Sequence, residues 1–311
     1  MHITSEPYGE SSLIVTMCLS ANDTHQALER PRLDLLRMLH LSDTADWLSD
    51  IERFFTDKEI LTYFVQKLGE GTALAWAESE GLTLMFTPDI LITEEDAPTD
   101  IAQLIGQKPN DDDTPNKGTF DDNTSDGDIS YENDSSNEVI TIRALVYLKP
   151  VIDTPEHIVS RGTSADDVRI SLGQIHDYLI NNDRVPSDLL DKQIDILRDQ
   201  FNAQLAVENL TLQQYCREQK VKPQVVEEDL HDQATDALTD FLAQDMLCTI
   251  LGIEFSDTDI QDACTQYTHA QNLDEALQSE LYTQLKETHR MYLVENYARQ
   301  SYIQSLLGKD A

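Results

Sequence analysis

The sequence predicts an α+β chain, with a small antiparallel sheet and helices at its N-terminal end and an all-α region with elongated helical arms after it. Three observations predict this. Apolar residues alternate along residues 13–19 and again along 140–148, the period of a half-buried strand. Beyond Pro155 they recur at spacings of three and four, which places them on one face of a helix. Within that helical region the pattern stops abruptly, most clearly in "LGIEFSDTDI", where it ends at Gly252 and restarts at Ser256.

The first third mixes strands with helices. In "SLIVTMCLS", Leu13, Val15, Met17 and Leu19 face one way and Thr16 and Cys18 the other, as the pleat requires. "ANDTHQALERPRLDLLRMLH" reads as a helix with Asn22 or Asp23 as its cap and an interruption at Pro31. "KEILTYFVQKLGEGTALAWAESEG" reads as a second helix, weakened by Gly69 and Gly71 and closed by Gly81. "LTLMFTPDILI" returns to strand chemistry. The clearest strand is "VITIRALVYLKP", with Ile140, Ile142, Ala144, Val146 and Leu148 on one face and Pro150 at its end.

Between these strands lies "QKPNDDDTPNKGTFDDNTSDGDISYENDSSNE", residues 107–138. From Asp111 to Glu138 its only base is Lys117. So few apolar groups cannot offset the entropy of ordering, and the segment reads as an acidic disordered loop. One sheet would then draw strands from both sides of it. The expected domains are residues 1–106 completed by strand 139–150, then a helical domain over 156–311.

The helical stripes run Val168, Leu172, Ile175, Leu179; then Leu190, Ile194, Leu197, Phe201, Leu205; then Val226, Leu230, Ala234, Leu238, Leu242, with Leu247 and Leu251 further on. Leu277, Leu281, Thr288 and Tyr292 mark a last helix continuing to Leu307. Gly252 suits a left-handed C-terminal cap. Ser256 can cap the next helix, whose first turn places Asp257 and Asp259 where the dipole favours negative charge. Asn209-Leu210-Thr211 repeats the device, with Thr211 as cap. Connections this short make consecutive helices turn sharply.

The 311 residues carry 58 acids against 22 lysines and arginines, a formal charge of -36. Nucleic-acid affinity rests on cations displacing counterions, so a nucleic-acid partner is not expected. No apolar run approaches the roughly 18 residues of a membrane span, and no membrane association is expected. Glu6 and Glu10 precede the first apolar run, the reverse of a secretory signal. Cys18, Cys216, Cys248 and Cys264 form no CxxC pair, which fits free thiols in a reducing cytoplasm. The sequence contains no HExxH, GxSxG or Walker loop. Gly69-Glu70-Gly71 lacks a third glycine and a preceding strand. Cys264 and His269 are about 140° apart around a helix, too far for one metal. Glu227-Glu228 and Asp166-Asp167 are the pairs expected of so acidic a chain. No catalytic residue, metal or cofactor is expected.

One family does resemble the chain. "RVPSDLLDKQIDILRDQFNAQLAVENLTLQQYCREQ" is similar to the opening of the trigger factor C-terminal domain, in which a Val-Pro precedes a long helix and a "GLSLEQY"-like turn leads into the next. Val185-Pro186, Phe201 and "NLTLQQY" stand at those positions. "LCTILGIEFSDTDIQDACTQY" resembles the family's "AIAEKEGIEVTDEDIEAEI" segment, and order and spacing agree over roughly Val185 to Ile303. More faintly, "SSLIVTMCLSANDTHQAL", "GTALAWAESEGLTLMFTPDI" and "ITIRALVYLKPVIDTP" are similar to parts of the family's N-terminal domain and linker. Two departures stand out. The family's ribosome-docking signature, GFRxGKxP, is missing; its matching region keeps only Arg30, Arg32 and Arg37. Only about 35 residues separate Pro150 from Val185, too few for an isomerase barrel with a proline pocket.

The resemblance implies an ATP-independent chaperone that holds unfolded or nascent polypeptides in a helical cleft, without prolyl isomerase activity. Ribosomes are the family's other partner, here without the docking motif. The client-contact residues it suggests are Leu205, Tyr215, Phe241, Ile253, Phe255, Tyr267, Tyr292 and Tyr297, each of which could equally be core. The alternatives are a scaffold binding one folded partner and a prolyl isomerase.

Overall fold

The computed structural model describes residues 1–44, 46–92, 140–153, 155, 163–270, 282–283, 285–286 and 291–308. The acidic segment 107–138 lies outside them. The chain divides into two compact units: Met1–Ser5, Val15–Ala73 and Pro88–Leu145 form the first, and Glu6–Ile14, Leu74–Thr87 and Val146–Ala311 the second.

A four-stranded antiparallel sheet takes the order β1-β2-β4-β3, from β1 (His2–Pro7), β2 (Ser12–Leu19), β3 (Asp89–Leu91) and β4 (Ile140–Tyr147). β3 pairs with β4 in the register Asp89↔Leu145, Ile90↔Ala144, Leu91↔Arg143. The sheet therefore joins strands from both sides of the acidic segment, as the alternation predicts. Val15, Met17 and Leu19 are buried while Thr16 and Cys18 are half-exposed. The expected strand at 82–92 shrinks to β3 and a single bridge, Leu84↔Leu148, because Pro88 interrupts the ladder.

Helix α1 (Ala21–Met38) differs from expectation at two points. Its cap is Ser20, whose hydroxyl accepts from the Asp23 amide at 3.3 Å while the Asp23 carboxylate accepts from the Ser20 amide at 3.2 Å. Asp23 is the returning half of a capping box, not the cap itself. The helix also runs unbroken through Pro31. Leu28, Leu35 and Leu36 are buried on either side of it, and such burial, at about 2 kcal/mol per side chain, outweighs one missing amide bond.

After the short α2 (Trp47–Ile51), α3 (Asp57–Ser79) supplies Ile60, Phe64 and Leu68 to the core. Trp47 meets Phe64 edge-on at 5.9 Å. Gly69 is a packing requirement: a Cβ there would lie 2.8 Å from Ile90 Cδ1 and 3.0 Å from Ile142 Cγ2.

The second unit holds α4 (Ala165–Asn181), α5 (Ser187–Val207), α6 (Leu212–Gln219), α7 (Pro223–Leu251), α8 (Asp257–Ala270) and α9 (Met291–Leu306). α7 is its spine, packing against α4, α5, α6 and α9, while α8 packs on α9. Its buried face follows the predicted stripe from Val226 to Leu238, then widens to Thr239, Leu242, Ala243, Met246, Leu247 and Cys248. The buried Thr239 hydroxyl donates to the Thr235 carbonyl at 2.7 Å.

The predicted turnarounds are present. Gly252 adopts φ 64, and the Ile253 amide returns to the Cys248 carbonyl at 2.9 Å, closing a Schellman cap. Ser256 and Asp259 then form a second capping box. Asn209 takes φ 58 after α5, and Thr211 with Gln214 boxes the start of α6. Asp183 (φ 48) and Lys220 (φ 56) end α4 and α6 in the same left-handed conformation.

Candidate functional site

Two small apolar clusters flank the spine. Near its start, Cys216, Val226 and Leu230 pack with half-buried neighbours that include Leu197, Phe201 and Tyr215. Beyond its end, Ile260, Ala263, Cys264, Val294 and Ala298 pack with Phe255 and Tyr297 among others. Thin cores of this kind leave aromatic edges at the surface.

A groove of about 730 Å³ lies between α7 and α9; Ala237, Phe241, Leu285, Leu293, Val294 and Tyr297 form its apolar wall. Leu293 is 45% exposed. One end of the groove is polar and internally bonded. The Arg299 guanidinium stacks over the Phe241 ring at 5.5 Å, donates to Asn296 Oδ1 at 3.1 Å and pairs with Asp245 at 3.0 Å. Asp245 also takes Lys149 at 3.0 Å. One carboxylate thus joins the segment after β4 to α7 and α9. All three side chains are mostly buried, Asp245 at 15% and Arg299 at 12% exposure. Burial pushes the nearby Cys248 thiol up to about 11, with Asp245 reinforcing the shift against Arg299 and Lys149.

A second groove, about 490 Å³, is lined by Ile253, Phe255, Ala298 and Tyr302, with Phe255 edge-on to Tyr302 at 6.0 Å. A third, about 310 Å³, adjoins α4 at Leu172, Gly173 and His176 and shares Asp240 and Gln244 with the first.

The sequence-derived contact residues scatter accordingly. Phe241 and Tyr297 meet in the large groove, and Ile253 and Phe255 in the second. Tyr215 stands edge-on to Phe201 at 5.2 Å, near the start of the spine. Leu205 is a correction: at 3% exposure it is core and has no face to offer a client. The side chains of Tyr267 and Tyr292 lie outside the described residues. Leu293 and Tyr302, which line the grooves, were not among the expected residues. Neither falls on the Leu277–Tyr292 stripe, and α9 buries Val294, Ala298 and Ile303.

Arg30, Arg32 and Arg37 do not form a loop tip. All three lie on the continuous α1. Arg30 and Arg37 pair with Asp34, and Arg32 pairs with Asp43 while stacking over Trp47 at 5.6 Å. Each guanidinium thus already faces a carboxylate that a polyanion would have to displace. Among the described residues, no cluster of histidine, cysteine, aspartate and glutamate could hold a metal ion, and no helix is long and apolar enough to cross a membrane. The four cysteines are free.

Residues 179–307, which contain the four turnarounds at Asp183, Asn209, Lys220 and Gly252 and the α7–α9 groove, match the family model described as bacterial trigger factor protein (TF) C-terminus. No curated protein and no solved structure matches the chain.

Proposed function

We propose, from the match of residues 179–307 to the trigger factor C-terminus, that this protein is an ATP-independent chaperone holding unfolded or nascent polypeptides against its helical unit. The observation carrying this reading is the α7–α9 groove, with an apolar wall of Phe241, Leu293 and Tyr297 and a fixed polar end. It is open and of moderate size, and it has a second groove around Phe255 beside it on α9. Several such weak contacts retain an unfolded chain together, while each alone releases it, so no nucleotide is needed to let go. The scatter of small apolar patches supports many clients over one folded partner, which would favour a single large contiguous patch.

Prolyl isomerase activity is not part of this reading, because residues 150–185 leave no room for a barrel with a proline pocket. Ribosome docking through Arg30, Arg32 and Arg37 is not part of it either, since each is paired on a helix. The net charge of -36 keeps a loaded complex soluble, and Asp240 in the groove lining disfavours acidic segments there.

The test is suppression of aggregation of a refolding protein at several-fold excess of this chain, beside ribosome co-sedimentation and a proline-peptide isomerisation assay. Suppression is expected, with no pelleting and no rate above background. Absence of suppression would remove the chaperone reading.

A further inference from the structure

In so acidic a chain, cations find partners readily. Among the described residues, Arg53 pairs with Asp50, Lys67 with Glu70, Arg169 with Asp166, and Arg198 with both Asp195 and Glu227. Arg184 stacks on Tyr178 and Lys192 on Tyr147. Arg217, Lys220 and Lys222 are exposed and have no such partner among the described residues. They crowd the turn between α6 and α7, where the stretch 209–226 holds Glu218 as its only acid.

Local stability does not account for them. Arg217, in the last turn of α6, does complement the helix dipole. Lys222 is the N-cap of α7, makes no side-chain cap bond, and puts a cation at the positive end of the longest helix; Ser, Thr, Asp or Asn is the stabilising choice there. Lys220 holds φ 56, a conformation that glycine or asparagine adopts at less cost. Two cations therefore occupy positions where the fold alone would select otherwise. Exposed carbon accompanies them in Val225, in the first turn of α7, which is 38% exposed.

We propose that the α6–α7 turn is a docking surface for acidic, apolar peptide segments of other proteins, the class that the grooves disfavour. Charge complementarity identifies the partner, and exposed Val225 beside Lys222 favours a peptide over a polyphosphate. Three cations are also few for nucleic acid, whose affinity grows with the number of phosphates neutralised. The repulsive remainder of the chain is screened beyond about 8 Å at physiological salt. The inference does not depend on the groove holding clients.

The experiment uses the full chain and dye-labelled peptides of alternating glutamate and leucine, or lysine and leucine, read by fluorescence anisotropy. The Glu–Leu peptide is expected to bind the native protein and to bind the Arg217→Gln/Lys220→Asn/Lys222→Gln variant about tenfold more weakly. The Lys–Leu peptide should not distinguish the two. Added salt should weaken the native complex and leave the residual one unchanged. Equal Glu–Leu affinity in both proteins, or no binding by the native one, overturns the proposal. So does loss of Glu–Leu binding in Ala237→Trp, which fills the groove and leaves the turn intact. Binding of a single-stranded oligonucleotide that the triple variant abolishes would make the partner a polyphosphate and likewise overturn it.

Discussion

The two ends of α7 use charge in opposite ways. At its C-terminal end Asp245 takes Lys149 and Arg299, the Arg299 guanidinium covers Phe241, and what remains open to a partner is mostly carbon. Around its N-terminus Arg217, Lys220 and Lys222 stay exposed, and positive charge is what we propose a partner meets there. The difference shows how one helix in a strongly acidic chain can present two chemistries. Where cations are consumed internally they organise a groove; where they are left over they advertise a surface.

The largest expected effect follows from that contrast. Asp245→Ala leaves two mostly buried cations without their carboxylate and should cost about 3 kcal/mol in urea unfolding. Arg198→Ala, which breaks an exposed pair near the start of the spine, should cost under about 1 kcal/mol. Similar losses at the two sites would erase the distinction. Next come the left-handed caps. Gly252→Ala introduces a Cβ that meets no atom within 4 Å, so its cost of about 1 kcal/mol is purely conformational. Lys220→Gly should move the other way, stabilising by roughly 0.5 kcal/mol while weakening acidic-peptide binding.

Thiol chemistry probes the C-terminal end of α7 more gently. With its ionisation pushed to about 11, Cys248 should stay unreactive toward a disulfide reagent at pH 8 in the native protein, whereas half-buried Cys18 reacts first. Asp245→Ala should expose Cys248 to the reagent.

The smallest effect is on acid stability. Hydrogen bonds from the Ser256 hydroxyl and amide hold the Asp259 carboxyl below its ordinary value. A depressed carboxyl contributes stability above its unfolded value, near 4, and loses it as pH falls through the folded value. Ser256→Ala should therefore lower the melting temperature more at pH 7 than near pH 2, where only the cap bond from the Asp259 amide to the hydroxyl is left to lose.

Reading these features from sequence alone succeeded where one residue type carries one physical role. Gly252, Asn209 and Thr211 mark their turns because left-handed backbone and capping each select a short list of residues. Asp183 and Lys220 end helices in the same conformation but belong to no such list, so those turns were silent. Strand β1 went unnoticed because it lies at an end of the sheet and is exposed at nearly every position; main-chain bonding holds it and leaves no apolar pattern. In α5 the buried residue near the start is Leu189, next to the expected Leu190, since neighbouring positions differ by about 100° and spacing alone barely separates them. The groove was legible in part: Phe241 and Tyr297 are aromatic and easily singled out. Arg299 was not, because its role depends on Asp245 and Lys149, brought together only by the fold.

The decisive measurement places a photoreactive benzoylphenylalanine at Leu293 in the groove and, separately, at exposed Met38 on α1, and offers each protein a permanently unfolded client. Groove binding predicts efficient crosslinking from position 293 that disappears when the client is folded, and little from position 38. Suppression of aggregation with no crosslink at 293 would contradict it, placing the holding surface elsewhere on the molecule.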